Sequence, residues 1–201
     1  MTRILLATSN PGKVREFRRL IEGSGFEAVT PAEVGIALDV DETGDSYAAN
    51  ALLKAEAFAR AGNCLALADD SGIEVDALSG GPGIYSARYG GPRLDDEGRV
   101  TLLLDEVAEA TDGERGARYR AVVAVAWPAA TGAIESAVFE GVQEGTLARN
   151  RSGDEGFGYD PIFVVSPGRT QAQLSPVEKD AISHRGQAVR KALAFLRARL
   201  G

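Results

Sequence analysis

The stretch "ILLATSNPGKVREF", residues 4–17, sets the architecture of the chain. A continuous apolar run bounded by turn residues predicts a buried strand over residues 3–8, and Val14, Phe17, Leu20 and Ile21 then recur at helical spacing. Asn10 is a good N-cap, and Pro11 suits the first helical position, where its missing N–H is no loss. The elbow between strand and helix is not a P-loop. Ala7 stands where G-x-x-x-x-G-K-[ST] needs its first glycine, and Val14 where it needs Ser or Thr. A helix N-terminus still presents unpaired N–H groups and a partial positive charge, so Thr8, Ser9 and Asn10, with Lys13 one turn on, form a candidate phosphate site. A capped helix with a surface lysine is the plainer reading of the same residues.

Working outward, a second helix is predicted after Asp45 or Ser46 as cap. Its apolar stripe is Ala48, Ala51, Leu52, Ala55, Phe58 and Ala59, and Gly62 ends it. "CLALA" (64–68) reads as a short buried strand running into Asp69-Asp70-Ser71-Gly72, followed by the glycine-rich "LSGGPGIYSARYGGP". Residues 99–110 are predicted helical, and "ARYRAVVAVAWP" and "AIESAVFEGVQEG" form a long antiparallel pair joined through "AATG". "DPIFVV" adds a strand. Ser175-Pro176-Val177-Glu178 has the form of a capping box, and after Ser183 the positions Val189, Leu193, Leu196 and Leu200 predict a terminal amphipathic helix. The order of elements predicts an α/β protein with a mixed sheet. No linker or repeat separates independent domains, so residues 1–201 are read as a single domain.

The net charge is −7, from 22 Lys+Arg against 29 Asp+Glu, so no global field draws the chain to nucleic acid or to an anionic membrane. No apolar run approaches the roughly 20 residues needed to span a bilayer, and "MTRILLATSNPGK" reaches Asn-Pro-Gly too early for a signal-peptide core, which predicts a cytoplasmic protein. With Cys64 and His184 as its only cysteine and histidine, the chain cannot build a disulfide or a site of several Cys and His ligands. Any metal would be oxygen-bound, hence Mg²⁺ or Mn²⁺.

Several residues carry candidate chemistry. Asn50 and Lys54, four apart, share a helix face away from the alanine stripe, just after Glu42-Thr43-Gly44. Asp69 and Asp70 leave an apolar strand as adjacent carboxylates, which a cation or a proton would relieve; an Asp-Asp-Ser-Gly surface turn is the competing reading. "GFGYDP" (156–161) sets aromatics among glycines, where a planar ligand could stack. "EKDAISHRG" (178–186) places Lys179, His184 and Arg185 around Ser183 as donors for anionic or carbonyl oxygens.

In this order, "LATSNPGKVREF", "ETGDSYAANALLKA", "ADDSGIEVDALSGGPGIYSARY", "GFGYDPIF" and "EKDAISHRGQA" resemble the non-standard purine nucleoside triphosphate pyrophosphatases, the family of inosine triphosphate pyrophosphatase, over residues 5–188. The resemblance implies an elongated mixed sheet with helices forming two lobes around a central active-site cleft, and a homodimer. It also implies Mg²⁺-dependent hydrolysis of ITP, dITP and XTP to the monophosphate and pyrophosphate, clearing deaminated purines from the nucleotide pool. Carried onto this sequence, it gives Thr8, Ser9, Asn10, Pro11, Gly12 and Lys13 as the phosphate elbow and Lys54 as a further phosphate contact. Glu42 and Asp70 match the metal-binding acids, with Asp69 beside them, and Asp70 matches the base that activates water. Ser71, Phe157, Gly158, Tyr159, Asp160, Lys179, His184 and Arg185 match substrate-binding positions, and His184, Arg185 and the backbone near Phe157 are expected to read the base. One departure is Ala49, where the family's motif has glutamate. Residues 111–118 receive no role.

Overall fold

The computed structural model describes residues 2–165 and 168–200. Strand β1 (Thr2–Leu6) leads through the elbow into helix α1 (Pro11–Ile21), whose N-cap Asn10 accepts a hydrogen bond from the Lys13 amide at 3.0 Å. The predicted cap and first-turn proline are therefore both present. Next come β2 (Phe26–Val29) and α2 (Tyr47–Gly62), the latter capped by Ser46 rather than Asp45 and closed by Asn63 in the left-handed conformation. The chain continues through β3 (Ala66–Val75), α3 (Asp96–Glu106), β4 (Gly116–Pro128), β5 (Ile134–Leu147), β6 (Phe163–Val165), β7 (Arg169–Thr170), α4 (Pro176–Ile182) and α5 (His184–Leu200).

Among the described residues the strands form one mixed sheet in the order β2-β1-β3-β4-β5-β6-β7. β1 pairs in parallel with β2, Ile4 opposite Ala28, and with β3, Leu5 opposite Ala66. β6 pairs antiparallel with β5, Leu147 opposite Phe163, and with β7, Val164 opposite Thr170. The chain divides into two compact units, one of residues 1–70, 121–141 and 185–201, the other of residues 71–120 and 142–184. In the first, α1 and α5 cover the sheet: Phe17, Ile21, Val189, Leu193 and Leu196 pack with Ile4, Leu6, Leu67, Val123 and Val125. In the second, Val100, Leu103 and Leu174 pack with Ile73, Val75, Leu147 and Phe163. Each such side chain contributes about 1.5–3 kcal/mol on leaving water.

The structure departs from the sequence reading in particular places. The run from residue 64 does not turn at Asp69-Asp70; β3 continues through both to Val75. Strand pleating sends successive side chains to opposite faces, so two neighbouring acids can stay in a strand if each face supplies donors. Helix α3 begins at Asp96 under the Asp95 cap and ends at Glu106, both sooner than predicted. Leu200 of the terminal stripe is exposed, and Ala188 and Ala192 are buried in its place. Within 111–118, Arg115 is buried, and its guanidinium donates to the carbonyls of Val107, Leu147 and Ala148 at 2.7–2.9 Å. Its role is to tie the end of α3 to the start of β4 and the end of β5.

Candidate functional site

In the first unit the charged residues are sorted by the two faces of β3. Leu65 and Leu67 belong to the core under α1 and α5, and Asp69, two residues on, points the same way. Its Oδ1 pairs with Lys13 Nζ at 2.9 Å and its Oδ2 with Arg185 Nε at 3.1 Å. Burial works against the Asp69 anion, but Lys13, Arg185 and Lys54 more than offset it and hold the carboxyl well below the ordinary range. Arg185 is itself buried; desolvation disfavours its charge, yet Asp69 and Glu16 raise its pKa above the usual guanidinium value. Glu16 Oε2 accepts from Arg185 Nη1 at 2.5 Å. For Lys13, desolvation outweighs the attraction of Asp69 and lowers the pKa.

Asp70 takes the other direction, toward α2. Asn50 Nδ2 donates to its Oδ2 at 3.1 Å, and Asn50 Oδ1 accepts from the Gly44 amide at 2.8 Å. Lys54 donates to Glu42 Oε1 at 2.5 Å and to the Asp69 carbonyl at 2.7 Å. The face of α2 carrying Asn50 and Lys54, away from the alanine stripe, is therefore buried. Its amide and ammonium are satisfied internally, so polarity there did not mean exposure. Burial raises the Asp70 pKa, with Lys54 and Asn50 opposing and Glu42 adding to it. A carboxylate raised by burial and by a second nearby carboxylate is a donor set suited to a hard divalent cation, and Mg²⁺ is typically held by one or two carboxylates plus substrate oxygens. Among the described residues no group of three or more His, Cys, Asp or Glu side chains gathers as a metal cage. Two acids fit Mg²⁺ completed by a phosphate ligand better than a closed all-protein site.

Thr8, Ser9, Asn10 and Pro11 line the approach to the α1 N-terminus, and Gly12 is buried. The Thr8 Oγ1 accepts from the Asn10 amide at 3.2 Å, fixing the elbow. The bland surface-lysine reading fails for Lys13, whose side chain is only 17% exposed.

In the second unit, Asp160 is buried and anchors its loop. It accepts from the Phe157 amide at 2.9 Å, from Lys179 Nζ at 2.5 Å and from Tyr119 Oη at 3.3 Å. Gly156, at φ +82°, cannot be replaced here: a Cβ would lie 2.0 Å from Asp160 Oδ2. Lys179 Nζ sits 5.0 Å from the Phe157 ring centroid, and His184 stacks on Tyr119 at 4.6 Å and 10°. Gly158 donates to Asp96, Tyr159 to the Ser86 carbonyl at 2.9 Å, and Ser71 lies half-buried on β3. Phe157, Asp160, Lys179 and His184 are thus brought together, with Tyr119 as an aromatic member that sequence reading missed.

Glu16 was missed as well. Its signal was a charge at the position four before Leu20, on the side of α1 that the sequence otherwise keeps apolar. Arg185 was placed with the base-binding residues by sequence, whereas its observed partners are Glu16 and Asp69.

The Ham1 family model matches residues 4–195. The chain is 42% identical over 199 residues to the dITP/XTP pyrophosphatase of Bacillus subtilis, covering 98% of both chains. It is 48% identical over 201 residues to the protein of that name from Symbiobacterium thermophilum, covering 98% of this chain and 96% of that one. Among solved structures, the Staphylococcus aureus Ham1 protein superposes with a TM-score of 0.84 at 40% identity, covering 98% of this chain and 99% of its own. A nucleoside-triphosphatase, dITP/XTP pyrophosphatase, from Mycobacterium abscessus gives 0.72 at 44%, covering 96% and 98%. An elbow fixed by Asn10, acids split across β3 and full-length likeness to these proteins lead to one assignment: this chain belongs to the Ham1 family.

Proposed function

We propose that this protein hydrolyses dITP, XTP and ITP to the nucleoside monophosphate and pyrophosphate. The observation that carries the reading is the first unit's charge arrangement, two lysines each held by a carboxylate, with the buried Asp70 held by Asn50 of α2. Lys13 and the α1 N-terminus take the triphosphate oxygens, and Lys54 adds a second cation against the charge that builds on departing pyrophosphate. Asp70, made more basic by its surroundings, accepts a proton from the attacking water. A P–O bond forms to that water oxygen, and the bond from the α-phosphorus to the bridging oxygen breaks, its electron pair leaving with pyrophosphate. Glu42 and Asp70 are the residues proposed to hold Mg²⁺, for which Mn²⁺ can substitute. When bound, the ion supplies charge neutralisation at the phosphates. Asp69, with both oxygens on cations, serves in this reading to hold Lys13.

In the second unit, Phe157, Lys179 and His184 and the backbone around them offer an aromatic face and donors of the kind that discriminate a purine's C6 substituent. Hypoxanthine and xanthine carry an oxygen at C6 where adenine has an amino group. A buried donor left unpaired by adenine costs about 1–3 kcal/mol, roughly ten- to a hundredfold. A homodimer and a cytoplasmic setting belong to the same proposal, with no nucleic-acid partner.

A panel of triphosphates with Mg²⁺, read by pyrophosphate release, tests it. We expect kcat/KM for dITP, XTP and ITP to exceed that for dATP by about ten- to a hundredfold. Equal rates across the panel, a preference for dUTP, or release of orthophosphate in place of pyrophosphate would overturn the assignment.

A further inference from the structure

Glu16 lies in the first unit with 4% of its surface exposed, on the helix whose Phe17 and Ile21 enter the apolar core. Removing a carboxylate from water is expensive, and a buried ion pair is often no more stable than apolar residues of the same size. Stability alone is therefore a weak reason for a charge at this position. The contacts supply a better one. Glu16 Oε2 holds Arg185 Nη1 at 2.5 Å, Arg185 Nε holds Asp69 Oδ2 at 3.1 Å, and Asp69 Oδ1 holds Lys13 Nζ at 2.9 Å. The signs alternate along the row and end on the ammonium at the elbow. The Phe17 ring, 6.0 Å from the guanidinium carbon, adds an apolar wall.

From this row we infer that Glu16 is a positioning residue, which acts through Arg185 and Asp69 to fix the Lys13 ammonium for a polyphosphate ligand. The role rests on the function proposed above and deepens it. A guanidinium relieved of Glu16 is drawn to the nearest remaining anion. Arginine pairs with a carboxylate most strongly in the two-pronged geometry, which engages both oxygens. Asp69 Oδ1 would then be shared with Arg185, and Lys13 would lose the partner that sets its place. Glu16 does not touch the ligand in this scheme; its effect appears only where Lys13 matters.

The test is a double-mutant cycle between Glu16→Gln and Lys13→Ala, read twice: as affinity for inorganic tripolyphosphate with Mg²⁺ by calorimetry, and as kcat/KM for dITP. Glu16→Gln keeps the size and an acceptor oxygen while removing the charge. It is expected to weaken both readings about ten- to a hundredfold, the scale of a misplaced contact, and to have no further effect in the Lys13→Ala background. Additive losses, or an unchanged affinity in folded Glu16→Gln, would overturn the inference, because a purely structural glutamate lowers thermal stability without regard to Lys13. If Glu16→Gln does not fold, Glu16→Asp, with the charge kept and the reach shortened, is read in the same cycle with a smaller loss expected. Wild-type protein that binds tripolyphosphate but releases no pyrophosphate from dITP sinks the proposed function alone. Wild-type protein that does not bind tripolyphosphate sinks this inference as well.

Discussion

Asp70→Asn is expected to reduce pyrophosphate release from dITP by about 10²–10⁴-fold, the usual worth of a positioned base, while nucleotide affinity stays within a few-fold of wild type. The substitution is nearly isosteric, and the asparagine oxygen can still accept from Asn50 Nδ2, which approaches Asp70 at 3.1 Å. What disappears is the basic oxygen, while Glu42 keeps its charge as the other acid proposed to hold Mg²⁺. Burial and the neighbouring Glu42 hold the Asp70 carboxyl above its ordinary value, so this carboxylate takes a proton more readily than an exposed one. Rates by pyrophosphate detection and affinity by calorimetry separate the two effects. Wild-type turnover in the variant would remove Asp70 as the base.

Arg185→Ala carries the second large effect, and it falls on the fold. Arg185 is 2% exposed, and its guanidinium bridges two buried carboxylates, Glu16 and Asp69. Removing one partner of a buried ion pair leaves the other charged and desolvated, at a cost of about 3–5 kcal/mol. At about 2–4 °C per kcal/mol for a chain of this size, the melting temperature should drop by about 6–20 °C. Arg185→Lys should recover only part of the loss, because an ammonium cannot present two nitrogens in a fixed fork. The sequence alone assigns Arg185 to reading the base, which predicts the opposite pattern: an intact melting temperature and a lost preference for ITP over ATP. Calorimetric melting, together with kcat/KM for the two nucleotides, decides between them.

The elements most legible in the sequence are those whose signals are local. Asn10-Pro11 and Ser175-Pro176-Val177-Glu178 announce helix starts because a cap needs only its own next turn, and both are observed. The long β4–β5 pair is legible from its β-branched and aromatic content. The course of β3 is not, since two acids look like a turn until their partners are known, and Arg185 lies 116 residues from Asp69. The same holds for Asn50 and Lys54, whose burial depends on Glu42, Gly44 and the strand beneath them. Short β2 and β7 offer too few residues for a period to register. At the candidate site, the residue types were readable and their division of labour was not. The sequence groups Asp69 with the metal acids by adjacency, whereas a pleated strand makes adjacency the surest way to keep two side chains apart.

That pleat implies a difference in heredity. Alleles altering position 69 strike the support beneath Lys13, so their defects should be graded, eased by cooler growth or by extra gene dosage. Alleles altering position 70 strike the residue proposed as proton acceptor, and neither remedy supplies a replacement; neighbouring codons would then yield a conditional phenotype and a null.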